Sequence, residues 1–495
     1  MNSFFQVSSA AAISRGVLRA NPARSVTRCV VPEDRASFQR IIKWACALSE
    51  EEVEERLKYL RGHFGGRGNT MNAAWKRSYS QVALHAENGS GLPEQRKLYI
   101  GSLFSQEFPT ESGGLLNPGL CVHADQSRLT AGSTRFLLVV DGLGGDRTSS
   151  MIFREAVIDS DYHIHLHGSG CRPNGAEPVT NAVMSRGLIF RQLHDLGFDN
   201  AWTRGLMQSL RDEFTRADLE SAMGTASGAT RTFSNDSKAS MKCLRWLAGA
   251  NYEIEFDPLS DLSDRVLLPL GVAGAGGLHK GCFTLLTAAD GDQPVYLAAC
   301  TSCNGYRDLP LLLESRDLVN FKVSLLSGGA SRSHGMAIFP QRFAGRHAAI
   351  CGRSDDSLYL MYSKNPGIWE TAFPVKSPEE PWEALGIQPC GAPMATVAGW
   401  LVLYRACGEM GREAIGAMLL HRDDPSKILG ALKQPLMESP SSSAANALSV
   451  ALQSYGALIH RERLLVAYTV QGREIEIAQF ELDSLLSMLV ESEVQ

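Results

Sequence analysis

The chain has no run of about 18 apolar residues, the length a membrane-crossing helix needs, so no membrane association is expected. It also has no excess of charge: 48 Lys and Arg stand against 53 Asp and Glu, a net −5. No basic field points to nucleic acid, and no charge block reads as an interaction tail. A second cysteine pair at ligand spacing is missing as well. Of 11 cysteines only Cys300 and Cys303 form a CxxC, which alone is no zinc signature. Their scatter predicts reduced, mostly buried thiols in a cytoplasmic protein. The glycine-rich stretches Gly144-Gly145 and Gly274 to Gly277 lack the lysine spacing of a phosphate loop and open no clear helix. The first 32 residues hold Arg15, Arg19, Arg24, Arg28 and several serines, with no acid before Glu33. They read either as an organellar leader or as a flexible N-terminal arm over 1–34. No apolar segment with a cleavage site accompanies them, so secretion is not expected.

Apolar residues make up 44% of the chain, enough for a sizeable core. From Arg35 onward Phe38, Ile41, Ile42, Trp44 and Ala45 recur at helical spacing. Ser49-Glu50-Glu51-Glu52 opens a second helix with acids where the helix dipole favours them. Val53, Leu57, Leu60 and Phe64 form its apolar face, and Gly65-Gly66 would end it. This sets a helical segment at 35–95. A second helical region is expected at about 185–223, from Leu188, Ile189, Leu193, Leu196, Leu206, Leu210 and Phe214, followed by a Ser/Thr/Gly-rich loop at 224–240. The remainder reads as short strands between turns, which leaves a barrel, a sandwich or a propeller open. One weak unit, an apolar strand running into a polar turn, recurs five times, starting at Phe153, Leu311, Leu358, Ile415 and Ile475. From the second copy on, the spacing is about 45 to 60 residues, close to a four-stranded propeller blade.

Several short stretches, taken in order, resemble glycoside hydrolase family 130, the mannoside phosphorylases and β-mannosidases. They are Ile100 to Glu107, Leu116-Asn117-Pro118, Ser149 to Arg154, Gly335 to Pro340, Cys390-Gly391-Ala392-Pro393, Gly399-Trp400-Leu401 and Asp423-Asp424-Pro425. The resemblance covers most of the chain from Arg35. It implies an all-β fold, a five-bladed β-propeller over 96–495, with added α-helices at the N-terminus and in the insertion, and a site at the mouth of the central channel. Members carry Gly-x-Glu-Asp-x-Arg on an inner strand, the aspartate acting as general acid. Here Gly277 to Phe283 puts His279 at the glutamate, Lys280 at the aspartate and Cys282 at the arginine. His334 replaces a lysine, Asp141 an arginine, Arg405 a histidine, and expected acids fall near Ala395 and Gly472.

Glycosidic cleavage needs a proton donor, and hydrolases add a second carboxylate. A phosphorylase replaces that second group with phosphate held by basic residues. Losing the acid typically costs about 10²- to 10⁴-fold in rate. Lysine, with an ordinary pKa of about 10.4, releases its proton reluctantly at neutral pH, although burial lowers that value. His279 titrates near neutrality. Glu107 and Glu111 are the remaining acids near the expected mouth. The resemblance would gather His279, Lys280, Arg332, His334, Arg353 and Arg405 into a cationic pocket; the plain alternative is dispersed surface charge. Asn117 would orient a sugar hydroxyl, and Trp382 or Trp400 would stack on a ring, with apolar flanks favouring a core role for Trp400. His163, His165 and His167 alternate, so on a strand they share a face that could hold a metal; exposed strand polarity explains them more simply, and no metal is assigned. The expectation is a glycan- or anionic-sugar-binding relative with impaired catalysis. It needs no cofactor; inorganic phosphate enters as ligand or co-substrate, and a partner enzyme of glycan metabolism is a further expectation. The alternatives are an active β-mannoside hydrolase or phosphorylase with a relocated acid, and a purely structural interaction propeller.

Overall fold

Alternation of apolar side chains along inner strands organises this molecule. The computed structural model describes every residue except 1–5, 8–9, 33, 65–67, 84–90, 171–172, 230–234, 269–276, 288–292, 304–307, 334, 440–451 and 492–495. On strand Thr134–Leu143, Leu137 and Val139 enter one core while Phe136, Leu138 and Val140 enter another. Successive side chains of a strand point to opposite faces, so such a strand is buried on both. Strand Val295–Cys303 divides likewise: Tyr296, Ala298 and Cys300 go one way, Leu297 and Ala299 the other. Strands Arg346–Gly352, Trp400–Cys407 and Arg463–Val470 repeat the division.

Each of those strands lies inside a different antiparallel sheet. The first sheet is built on Gly114–Val122, Thr134–Leu143 and Ser149–Ile158; the second on Leu278–Leu286, Val295–Cys303, Asp308–Ser315 and Asn320–Leu325. The third runs Met336–Phe343 to Ala372–Lys376, the fourth centres on Trp400–Cys407 and Glu413–Leu420, and the fifth holds Ala457–His460, Arg463–Val470 and Glu474–Glu481. Five cores join first to second, second to third, third to fourth, fourth to fifth, and fifth to first. The five copies of the weak repeat fall one in each sheet. The architecture is mostly β, with helices added.

Two expectations need correction. In the expected flexible arm over 1–34, the described residues include two strands, Ala10–Arg19 and Ser25–Cys29. Ala10–Arg19 pairs antiparallel with Glu474–Glu481, Ile13 opposite Ala478, so the fifth sheet takes a strand from each end of the chain. Ser25–Cys29 pairs with Ser105–Pro109. Of the four N-terminal arginines, Arg24 is an anchor, 2% exposed within a buried ion cluster. The expected loop at 224–240 is largely helical. Arg216–Ala229 and Asn235–Ala250 are helices, since Leu219, Met223, Leu244 and Leu247 pack into the first core and tertiary burial overrides weak propensity.

The N-terminal helices form as read. Asp34 caps Arg35–Ala47, and Ser49 with Glu52 makes a capping box for Glu50–His63. Gly65-Gly66 lies outside the described residues. The segment continues past 95 to Leu103, packing Phe38, Val53, Leu57, Trp75, Tyr99 and Phe104 together. No helix among the described residues is long and apolar enough to cross a membrane.

Candidate functional site

Strand Leu278–Leu286 loses register with Val295–Cys303 between His279 and Cys282. Such a bulge re-aims a side chain. Lys280 sits in it at φ 59° and opens onto a cavity of about 660 Å³. A second shift, between Leu116 and Gly119 on Gly114–Val122, contains Asn117 at φ 50°. The two bulges meet at one carboxylate. Asp141 Oδ2 accepts from the Lys280 backbone N–H at 2.9 Å and from Asn117 Nδ2 at 2.6 Å. Asp141 is 1% exposed. Burial pushes its carboxyl up to about 7, against the opposing pull of Asn117 and Lys280.

The Lys280 ammonium has no hydrogen bond or ion pair to another described residue. Desolvation by the surrounding protein lowers its pKa, and the charge of Arg405 lowers it further. Tyr455 lines the same floor and accepts from Arg405 Nη1 at 2.6 Å; burial pushes its phenol up to about 12. Gly456 lets this segment in: a Cβ there would lie 2.7 Å from the Leu120 nitrogen. The walls carry Arg332 and Asp308, and the helical insertion adds Arg191, Asp195 and Trp246. Asp195 is locked by Ser327, the Gly328 N–H at 2.7 Å and Arg191 at 3.1 Å. Burial raises its pKa, but these bonds outweigh burial and leave it lowered. Asp308 is exposed, and its charge favours the Lys280 ammonium.

Of the residues singled out in the sequence, Lys280 and Arg332 line the cavity. Arg405 lies behind Tyr455, and Asn117 reaches the floor through Asp141. The His279 ring contacts Ser149 Oγ at 2.6 Å instead of the cavity. Arg353 is elsewhere, its guanidinium 5.4 Å from the Tyr359 ring. His334 lies outside the described residues. The nominated acids are displaced. Glu107 is on Ser105–Pro109, opposite Thr27. Glu111 is buried between Arg24, at 3.0 Å, and Arg154, at 2.8 Å. Trp382 stacks on Tyr404, and Trp400 packs against Phe339 and Phe343. His163, His165 and His167 are exposed beside Asp159 and Glu155.

Sequence reasoning missed Tyr455, Trp246, Asp195 and Asp308, which only the tertiary structure brings to the cavity. Asp141 had a readable signal, a carboxylate ending the apolar run Phe136 to Val140.

No family model matches the chain. It is 28% identical over 103 residues to the 1,2-beta-oligomannan phosphorylase of Thermoanaerobacter sp.. It is 31% identical over 121 residues to the beta-1,2-mannobiose phosphorylase of Listeria innocua. Over these stretches the chain is similar to mannoside phosphorylases, in line with the resemblance to glycoside hydrolase family 130. Its matches span 34% and 32% of those two proteins, about a third of each, and 21% and 22% of this chain. The solved structure of the Listeria innocua beta-1,2-mannobiose phosphorylase in complex with beta-1,2-mannobiose matches at 16% identity and a TM-score of 0.44, over 78% of this chain and 94% of that one.

Proposed function

We propose that this protein binds a carbohydrate carrying, or accompanied by, an anion such as inorganic phosphate, on a cytoplasmic five-bladed propeller, and that acid-assisted glycosidic cleavage is impaired in it. The five cores that link the five sheets in succession support the propeller reading. The observation that carries the ligand reading is Lys280. It projects from a bulge into a cavity able to hold a small saccharide, with its ammonium unclaimed by the described residues. Arg332 adds positive charge to the wall. The names of the related proteins, phosphorylases of β-1,2-mannosides, make mannose, mannobiose and phosphate the first ligands to try. No cofactor is required by this reading, and a partner enzyme that consumes the bound sugar remains part of it.

The described residues that line the cavity support the reading of impaired cleavage. A buried acid poised for proton donation is what the reaction requires. Glu107 and Glu111 are placed elsewhere, and Asp195 is tied into the wall. Asp141, the buried acid beneath the floor, does not line the cavity, so the alternative of a working enzyme with a relocated acid rests on Asp308, a carboxylate on the cavity wall.

Calorimetry with phosphate and mannose 1-phosphate tests the proposal. Saturable binding is expected, weakened about 10- to 100-fold by Lys280→Ala, the scale of a lost charged hydrogen bond. No mannose 1-phosphate should be released from β-1,2-mannobiose and phosphate. Release that disappears in Asp308→Asn would replace the binding reading with the enzyme. Absence of both binding and release would leave the interaction propeller.

A further inference from the structure

We infer that Asp141 is a positioning residue of the cavity floor: its carboxylate holds the Lys280 and Asn117 bulges together, and an anion binding at Lys280 is accompanied by proton uptake on Asp141. The proton-uptake half rests on the ligand reading above; the latch does not.

The geometry argues for the latch. Lys280 and Asn117 belong to the terminal strands of two different sheets, and both take left-handed backbone angles rare for residues with a Cβ. Such angles persist when the surroundings over-determine them. Asp141 supplies that constraint, because one oxygen, Oδ2, receives both donors. Glu111, another buried carboxylate, is neutralised by two guanidinium groups, and Glu383 is paired with Lys376 at 3.1 Å. Asp141 instead receives an amide and a backbone N–H, neither carrying a full charge. An unpaired buried carboxylate is costly to ionise, and Oδ1 is the atom that takes the proton.

The titratable groups acting on Asp141 from the packed elements are Lys280, Cys300 and Tyr455. Burial pushes the Cys300 thiol and the Tyr455 phenol up, so both stay neutral through pH 7. Asp141, held up to about 7 by burial, changes charge at the floor near neutrality, and the Asp141→Asn variant separates its titration from that of Lys280. An anion beside Lys280 repels the ionised carboxylate and favours its protonated form. Binding and protonation then reinforce one another.

Two measurements on the full chain decide the matter. With nitrogen-15-labelled lysine, the Lys280 backbone amide of the ligand-free protein should shift with an inflection near pH 7, and Asp141→Asn should abolish it. An amide that ignores pH in the wild type overturns the Asp141 titration, and a Lys280 amide unshifted by Asp141→Ala overturns the latch, whether or not any anion binds. Sulfate, which does not titrate in this range, is the probe for the second half. At pH 7.5, calorimetry in buffers of different ionisation enthalpy should show uptake of up to one proton per sulfate in the wild type and none in Asp141→Asn. That variant keeps an acceptor for both donors and should bind sulfate several-fold more tightly; Asp141→Ala, which removes the acceptor, should bind more weakly. Binding without proton uptake overturns the linkage and leaves the anion site standing. No sulfate binding overturns the linkage and the anion site, while the amide shifts still settle the latch.

Discussion

Glu111 and Asp141 are both almost fully buried, and their neighbours set them to different work. Glu111 joins Arg24, from the N-terminal segment, to Arg154 on strand Ser149–Ile158, and accepts the Asn21 N–H at 2.9 Å. Burial, with Arg24 adding its charge, pulls the Arg154 pKa down to about 10, against the opposing pull of Glu111. Removing one member of a buried ion cluster leaves uncompensated charge and typically costs about 3–5 kcal/mol. Glu111→Gln should therefore lower unfolding free energy by that order in denaturant titration, with sulfate affinity at Lys280 unchanged. A loss of ligand binding at unaltered stability would return Glu111 to the site. Asp141, lacking a cationic partner of that kind, keeps a titration close to neutral pH.

At the scale of elements, pairing between the chain ends matters most. Strand Ala10–Arg19 covers the edge of Glu474–Glu481, and Leu18 enters the core shared by the fifth and first sheets. An uncovered edge is a template for association. Removing residues 1–19 should lower the melting temperature by several degrees and raise light scattering; unchanged melting would show the strand to be dispensable. The helices carry smaller, separable terms. Ser49 and Glu52 satisfy each other's backbone donors at the start of Glu50–His63, so Ser49→Ala should cost about 1 kcal/mol in thermal unfolding and leave the cavity untouched. The insertion matters differently. Its helices bring Arg191, Asp195 and Trp246 to the cavity wall, so a decoration outside the repeat helps define the site.

Across the whole molecule, two buried groups tilt stability in opposite directions with pH. Asp141 binds its proton more tightly folded than unfolded, so its contribution falls as pH rises from about 4 to about 7. The ceiling on that loss is about 4 kcal/mol. His347, 3% exposed, is pushed down to about 4 by burial and by Arg342. Its contribution is intact above about 6.5 and is lost as pH falls towards 4. Melting curves of wild type and Asp141→Asn should therefore diverge between pH 4 and 7, the variant becoming the more stable as pH rises; parallel curves would contradict an elevated Asp141. The amino-acid order alone determined the alternating strands, the five repeat copies, and the helices starting near Arg35 and at Ser49, because those rest on local periodicity and capping. It also marked Lys280, through a motif whose flanks survive around a changed centre. Only the tertiary structure decided that 1–34 supplies strands, that 224–240 is largely helical, and that Asp141, Tyr455 and Asp308 converge on or beneath Lys280. Contacts between residues hundreds of positions apart leave no local pattern, and burial, which sets both the Asp141 titration and the fate of Glu111, exists only once the sheets have packed.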